Sequence, residues 1–290
     1  MIIELFGPPG AGKTTFARTL AAHLRERGHT VDLILSHRPA ERFRSAGRPA
    51  PDLPAQQISS MIRRLTRPFA EMLTMARHPL TIPQEVGTAL TLIKILPPSN
   101  TLWSLRLAQY VSRLSRAWFQ TSNIDRIVLF DQAFVQAVCS LALLYGVVDE
   151  LLIAHALDVI PKSDLLVRLD APNEILQARL RDRQRLQSRT ERLLELDLTM
   201  SLRSLTVVDC VHKLLTKGGR QIMNAASLDQ NSLNEAVEQV EKQITAQFSI
   251  EQRGAARRNQ ACSIRVDQPL ERRTALQPSI KTVEPSRDIR

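Results

Sequence analysis

The spacing of apolar residues along the chain changes several times, and each change predicts an element. IIELF (Ile2–Phe6) is a short apolar run ended by glycine, the pattern of a buried strand. After a glycine-rich stretch, TTFARTLAAHLRERG places Phe16, Leu20 and Leu24 at helical spacing, and Gly28 stops that helix. TVDLILS (Thr30–Ser36) predicts a second strand, RIVLFD (Arg126–Asp131) a third, SDLLVRLD (Ser163–Asp170) a fourth and RQIMNAAS (Arg220–Ser227) a fifth. AFVQAVCSLALLYGVV (Ala133–Val148) is apolar on all sides and predicts a buried helix. Five strands separated by helical segments predict a three-layer α/β/α domain with a parallel sheet.

The second and third strands are separated by 89 residues, His37 to Asp125, more than one crossover needs. This insertion, about 37–125, opens with the Pro/Arg-rich HRPAERFRSAGRPAPDLP and continues as three predicted helices, about 55–77, 83–96 and 101–120. The last carries Trp103, Leu107, Tyr110 and Leu114 in one apolar stripe, expected to pack into the core. From Pro172 to Lys217 the pattern is helical and heavily charged. DQNSLNEAVEQVEKQITAQF, from Asp229, predicts an amphipathic closing helix. The periodicity then ends, so the expected division is a folded domain over 1–248 and a disordered basic tail over 249–290.

Composition narrows the picture only a little. Aromatics are 4% of the chain, so the core is aliphatic. Cys139, Cys210 and Cys262 are far apart and fit no metal or disulfide spacing, which places the chain in a reducing compartment. The start of the chain shows no basic, cleavable leader, and the 133–148 run is short for a bilayer and contains Gln136, so the expected location is the cytoplasm, with no membrane partner. The net charge is +10, of which residues 251–290 contribute +4 through nine Lys/Arg and five Asp/Glu. There is no aromatic-interleaved basic patch, so the charge gives no ground for nucleic acid as the main partner.

Chemistry enters with GPPGAGKT, Gly7 to Thr14, which fits G-x-x-x-x-G-K-[ST] between a predicted strand and a predicted helix. Glycines let backbone wrap an anion without Cβ clashes, and the helix N-terminus adds donors and positive potential. Gly7, Pro8, Pro9, Gly10, Ala11, Gly12, Lys13, Thr14 and Thr15 are therefore the expected phosphate-binding residues. In this reading Lys13 faces the β- and γ-phosphates and the Thr14 hydroxyl holds Mg²⁺. No guanine-reading N/T-K-x-D element occurs late in the chain, which favours ATP as the nucleotide. Asp131, after four apolar residues of the third strand, is the expected carboxylate beside the loop, as a metal ligand or as a base; a helix N-cap is the alternative. Gln132 and Gln136 follow it on the next helix. In DAPNEILQARLRDRQRLQSRTERL, Arg179 and Arg183 are four apart, as are Arg181 and Arg185, and each pair shares a helix face. Such arginines can close over phosphates as a lid, about 172–195, or simply form a solvated basic face.

ELFGPPGAGKTTFARTLAAHLRERGHTV, VLFDQAFVQ and SDLLVRLDAPNEILQARLRDR together resemble the P-loop nucleoside and nucleotide kinases, most closely the thymidylate-kinase-like group, over residues 1 to about 248. The resemblance implies a five-stranded parallel sheet bearing the phosphate loop, acceptor-binding helices after the second strand, and an arginine-bearing lid after the fourth. It also implies Arg179 and Arg183 as lid residues, and a possible homodimer. Arg38, in SHRPAER, lies roughly where thymidylate kinases carry Arg-Glu-Pro, without the Glu. Asp131–Gln132 stands where they carry Asp-Arg. Both departures weigh against thymidylate. The expected activity is transfer of the γ-phosphoryl group of ATP to a small-molecule acceptor, a nucleoside or nucleoside monophosphate. Lys13, Asp131, Arg179 and Arg183 are its expected catalytic residues. Arg38, Gln132 and Gln136 are expected on the acceptor side. His37 is a second candidate base for a hydroxyl acceptor. The alternatives are a nucleotide-dependent regulatory ATPase and a polynucleotide end kinase.

Overall fold

A computed structural model describes residues 1–36, 82–121, 126–185 and 198–247. Strands β1 (Ile2–Phe6), β2 (Val31–Ile34), β3 (Ile127–Phe130), β4 (Leu165–Asp170) and β5 (Ile222–Ala226) fall where the apolar runs predict them. They form one sheet in the order β2-β3-β1-β4-β5, with every pairing parallel. The expected α/β/α architecture is present. The helices are α1 (Lys13–Glu26), α2 (Ile82–Ile95), α3 (Thr101–Thr121), α4 (Phe134–Tyr145), α5 (Glu150–Val159), α6 (Asn173–Arg185), α7 (Leu198–Lys217) and α8 (230–247).

Helices α2 and α3 match two of the three expected in the long insertion. The third, about 55–77, lies outside the described residues. So do the Pro/Arg-rich loop, His37 and Arg38, and positions 186–197 of the expected lid. Helix α5 has no counterpart among the expected elements: the apolar run ends at Gly146 in a left-handed conformation, and a new helix begins with Asp149 as its N-cap, accepting from the N–H groups of Leu151 and Leu152. By contacts the chain divides into Met1–Thr245 and Ala246–Arg290; all but Ala246 and Gln247 of the second unit lie outside the described residues. No helix among the described residues is long and apolar enough to cross a membrane.

Strand side chains alternate between the two faces. Phe6, Val128, Phe130 and Leu166 enter the core made with α2–α5 and α7. Ile3, Leu5, Leu129, Leu165 and Val167 are equally buried on the opposite face, where α1 packs and where His23 of α1 and Arg27 just after it pair with Glu241 of α8. The stripe on α3 packs as expected: Leu107 and Leu114 are buried, and Trp103 and Tyr110 lie against the same core. Trp118 then stacks on Phe130 at 5.4 Å and meets Phe134 edge-on at 5.3 Å, pairs worth about 0.5–1.5 kcal/mol beyond burial. That contact docks α3 beside the last residue of β3.

The topology creates a crevice. The chain leaves β1 towards α1 on one face of the sheet. It leaves β3, the neighbouring strand, towards α4 on the other. Two adjacent parallel strands whose exits diverge leave a cleft at their carboxyl ends. The Gly7–Gly12 loop and Asp131 stand on its two sides.

Candidate active site

The loop after β1 is held by backbone that only glycine tolerates well. Gly7 has φ 148°, and a Cβ there would lie 2.1 Å from the Leu169 carbonyl oxygen. Gly12 has φ 85° and serves as the N-cap of α1. It brings no capping side chain, and the first turn of α1 contains no acidic residue. The positive end of α1 is therefore left without an anion from its own sequence.

Lys13 is buried, and its ammonium donates to the carbonyl oxygens of Gly7 at 2.7 Å and Pro8 at 2.9 Å. The cation is thus folded over the mouth of its own loop. Thr14 Oγ1 donates to Asp131 Oδ2 at 2.8 Å, across 117 residues of chain. Asp131 is fully buried, and its Oδ1 accepts the N–H of Ser36 at 2.6 Å, while Oδ2 also accepts the Ser36 hydroxyl at 3.2 Å. One carboxylate therefore ties together the loop threonine, the end of β3 and the end of β2, where the long insertion begins.

The N-cap alternative for Asp131 is not realised. The N-cap position of α4 is Ala133, which makes no side-chain hydrogen bond. The first turn of α4 is instead satisfied from β1, where Glu4 Oε1 accepts the N–H of Val135 at 2.5 Å. Glu4 is fully buried, and burial pushes its carboxyl up to about 8; the N–H groups of Val135 and Gln136 and the charge of Arg220 work the other way. Gln136 is also buried, and its Oε1 accepts the N–H of Gly7 at 3.1 Å. Gln132 is half-buried beside Asp131.

Arg179 reaches the loop from α6. Its Nη1 donates to the Gly10 carbonyl at 3.2 Å, and its Nη2 donates to the carbonyls of Ser227 at 2.7 Å and Leu228 at 2.9 Å. Arg179 thus braces the loop against the segment after β5. Arg183 is on the same helix, but its side chain lies outside the described residues. Arg181 and Arg185 are exposed, and among the described residues they bond within α6, to Gln177 and Asp182.

Hydrogen bonds and backbone thus bring Gly7, Gly10, Gly12, Lys13, Thr14, Asp131, Gln136 and Arg179 together around the loop after β1. Sequence reasoning missed three participants. Glu4 carried a signal, as the one charged residue in an apolar strand. Ser36 and Ser227 carried none, because their contacts are made with residues 95 and 48 positions away.

A metal at this point would meet one hydroxyl and one carboxylate oxygen already 2.8 Å apart. That hard-oxygen set is too small to hold an ion alone, and no cluster of three His, Cys, Asp or Glu occurs among the described residues. It fits Mg²⁺, which is commonly bound by one or two protein oxygens together with substrate phosphates.

No family model matches the chain, and no curated protein does. Solved structures do. A deoxyadenosine kinase from M. mycoides with products dCMP and a flexible dCDP bound is 16% identical, with 85% of this chain and all of that one covered and a TM-score of 0.46. The same kinase with dATP bound is 14% identical, with 84% and all covered and a TM-score of 0.44. With dCTP bound it is again 14% identical, with 85% and all covered and a TM-score of 0.41.

Proposed function

We propose that the protein is an ATP-dependent phosphotransferase that moves the γ-phosphoryl group to a small-molecule acceptor, a nucleoside or nucleoside monophosphate. The observation that carries this reading is the 2.8 Å hydrogen bond from Thr14 to Asp131. It joins the phosphate-loop hydroxyl to a buried carboxylate at the end of the neighbouring strand, which is the pairing that metal-assisted phosphoryl transfer needs.

In this mechanism the backbone amides of residues 10–15 and the positive end of α1 hold the phosphates. Lys13 exchanges the carbonyls of Gly7 and Pro8 for phosphate oxygens, and its charge offsets the negative charge at the β–γ bridge. Thr14 and Asp131 would hold Mg²⁺, which would supply charge neutralisation on the phosphate oxygens. Gln136 fixes the first amide of the loop. Arg179 keeps the far side of the loop in place through Gly10, and Arg183 is the second lid cation. The acceptor enters from the side of α2 and α3, with Gln132 and Arg38 as contacts. For a hydroxyl acceptor, Asp131 or His37 takes the proton; a phosphate acceptor needs no strong base.

The test is ATP consumption by purified protein with Mg²⁺, alone and with a panel of nucleosides, nucleoside monophosphates, sugars and alcohols. ADP released only in the presence of one acceptor supports the reading. ADP released at one slow rate in every reaction overturns it in favour of a regulatory ATPase.

A further inference from the structure

Glu4 has no place in the phosphate chemistry, yet it is a fully buried carboxyl three residues before the phosphate loop. It lies on the sheet face that packs against α4, the same face as Phe6. Its Oε1 accepts the N–H of Val135, across 131 residues of chain, in the first turn of a helix that has no side-chain cap of its own. Its Oε2 has no hydrogen-bond partner. The next residue of α4, Gln136, returns to β1's exit: its side-chain oxygen accepts the N–H of Gly7. A closed circuit results, from Glu4 to the first turn of α4, through Gln136 to Gly7, and back along Leu5 and Phe6.

We propose that Glu4 is a positioning residue for the phosphate loop, holding the first turn of α4 so that Gln136 can fix the Gly7 end of the loop. The inference rests on the reading of that loop as a phosphate site. It also gives the loop a dependence on proton concentration. Burial keeps the Glu4 carboxyl protonated up to about pH 8. The groups around it offer a carboxylate little. Tyr110 of α3 is half-buried with its hydroxyl turned inward, that hydroxyl has no hydrogen-bond partner, and its proton is held more tightly because of desolvation and the charges of Glu4 and Asp131. Cys139 of α4 is pushed up to about 12 by burial, with Lys13 acting against that and Glu4 adding to it. Arg220, ahead of β5, and the amides of α4 favour the ionised form. Ionisation of Glu4 therefore leaves a charged Oε2 without a hydrogen-bond partner between β1 and α4, and the first turn of α4 must shift to relieve it, weakening the Gln136–Gly7 bond.

The experiment is an NMR titration of the amides of Val135 and Gly7 in the full chain from pH 6 to 9.5. It compares the unaltered protein, Glu4→Gln and Gln136→Leu, and measures Mg²⁺–ADP affinity at pH 7 and pH 9. In the unaltered protein both amides shift with one midpoint near 8, and ADP affinity drops by about tenfold, the equivalent of one pH unit of coupling. In Glu4→Gln neither amide titrates, and the affinity drop is lost. In Gln136→Leu, Val135 still titrates and Gly7 does not. A Gly7 amide that stays flat in the unaltered protein overturns the inference, as does one that titrates alike in both variants. The unaltered protein and Gln136→Leu suffice if Glu4→Gln fails to fold. Failure of the phosphate reading looks different: the amides titrate together, but no ADP binds at any pH.

Discussion

The two sides of the cleft are built in opposite ways. On the loop side the contacts are local apart from the Arg179 brace on Gly10: Lys13 reaches back five and six residues to Pro8 and Gly7, and Gly12 caps the helix that follows it. On the other side every bond crosses the chain. Asp131 meets Thr14 and Ser36, Glu4 meets Val135, and Gln136 meets Gly7, at separations of 95 to 131 residues. The loop side is a short motif acting mainly through backbone. The far side is an assembly that exists only once β1, β2, β3 and α4 have come together.

That difference can be broken at several points. The largest effect belongs to Lys13→Ala, which removes the loop's own cation while leaving the backbone intact. ATP turnover falls by about 10³-fold while the thermal midpoint stays within a few degrees; unchanged turnover would remove the loop from the chemistry. Gly7→Ala strikes the fold itself, because its Cβ meets the Leu169 carbonyl at a backbone angle L residues avoid. Urea unfolding should show a loss of about 3 kcal/mol. A smaller loss would mean that the loop and β4 shift apart easily. Arg179→Ala sharpens the contrast least. It removes donors from the Gly10, Ser227 and Leu228 carbonyls, and the account expects about a tenfold weaker nucleotide affinity, with kcat changed less. A kcat loss matching that of Lys13→Ala would instead place Arg179 on the transferring group.

The same contrast explains what could be read in the sequence. The five strands are short apolar runs bounded by punctuation, so all were legible, as was the GPPGAGKT loop between the first strand and its helix. Asp131 was legible because it ends an apolar run. Its partner Ser36 was not, since nothing near Ser36 distinguishes it from any residue leaving a strand. The one cap the sequence offered for α4, as the alternative role of Asp131, was the nearest carboxylate, whereas the first turn is met by Glu4 on another strand. Sequence proximity favours local caps, and the parallel sheet brings a distant one closer. Helix α5 was missed because its apolar pattern runs on from α4, and the break rests on Gly146 and the Asp149 cap alone.

The central claim is that Thr14 and Asp131 act as one unit joining the two sides. A double-mutant cycle with Thr14→Val, Asp131→Asn and the pair, read as Mg²⁺-dependent ATP affinity, tests it most directly. The account predicts that the second substitution costs little once the first is made, with a coupling of about 1–3 kcal/mol. Effects that simply add, to within about 0.5 kcal/mol, would show two independent residues and contradict it.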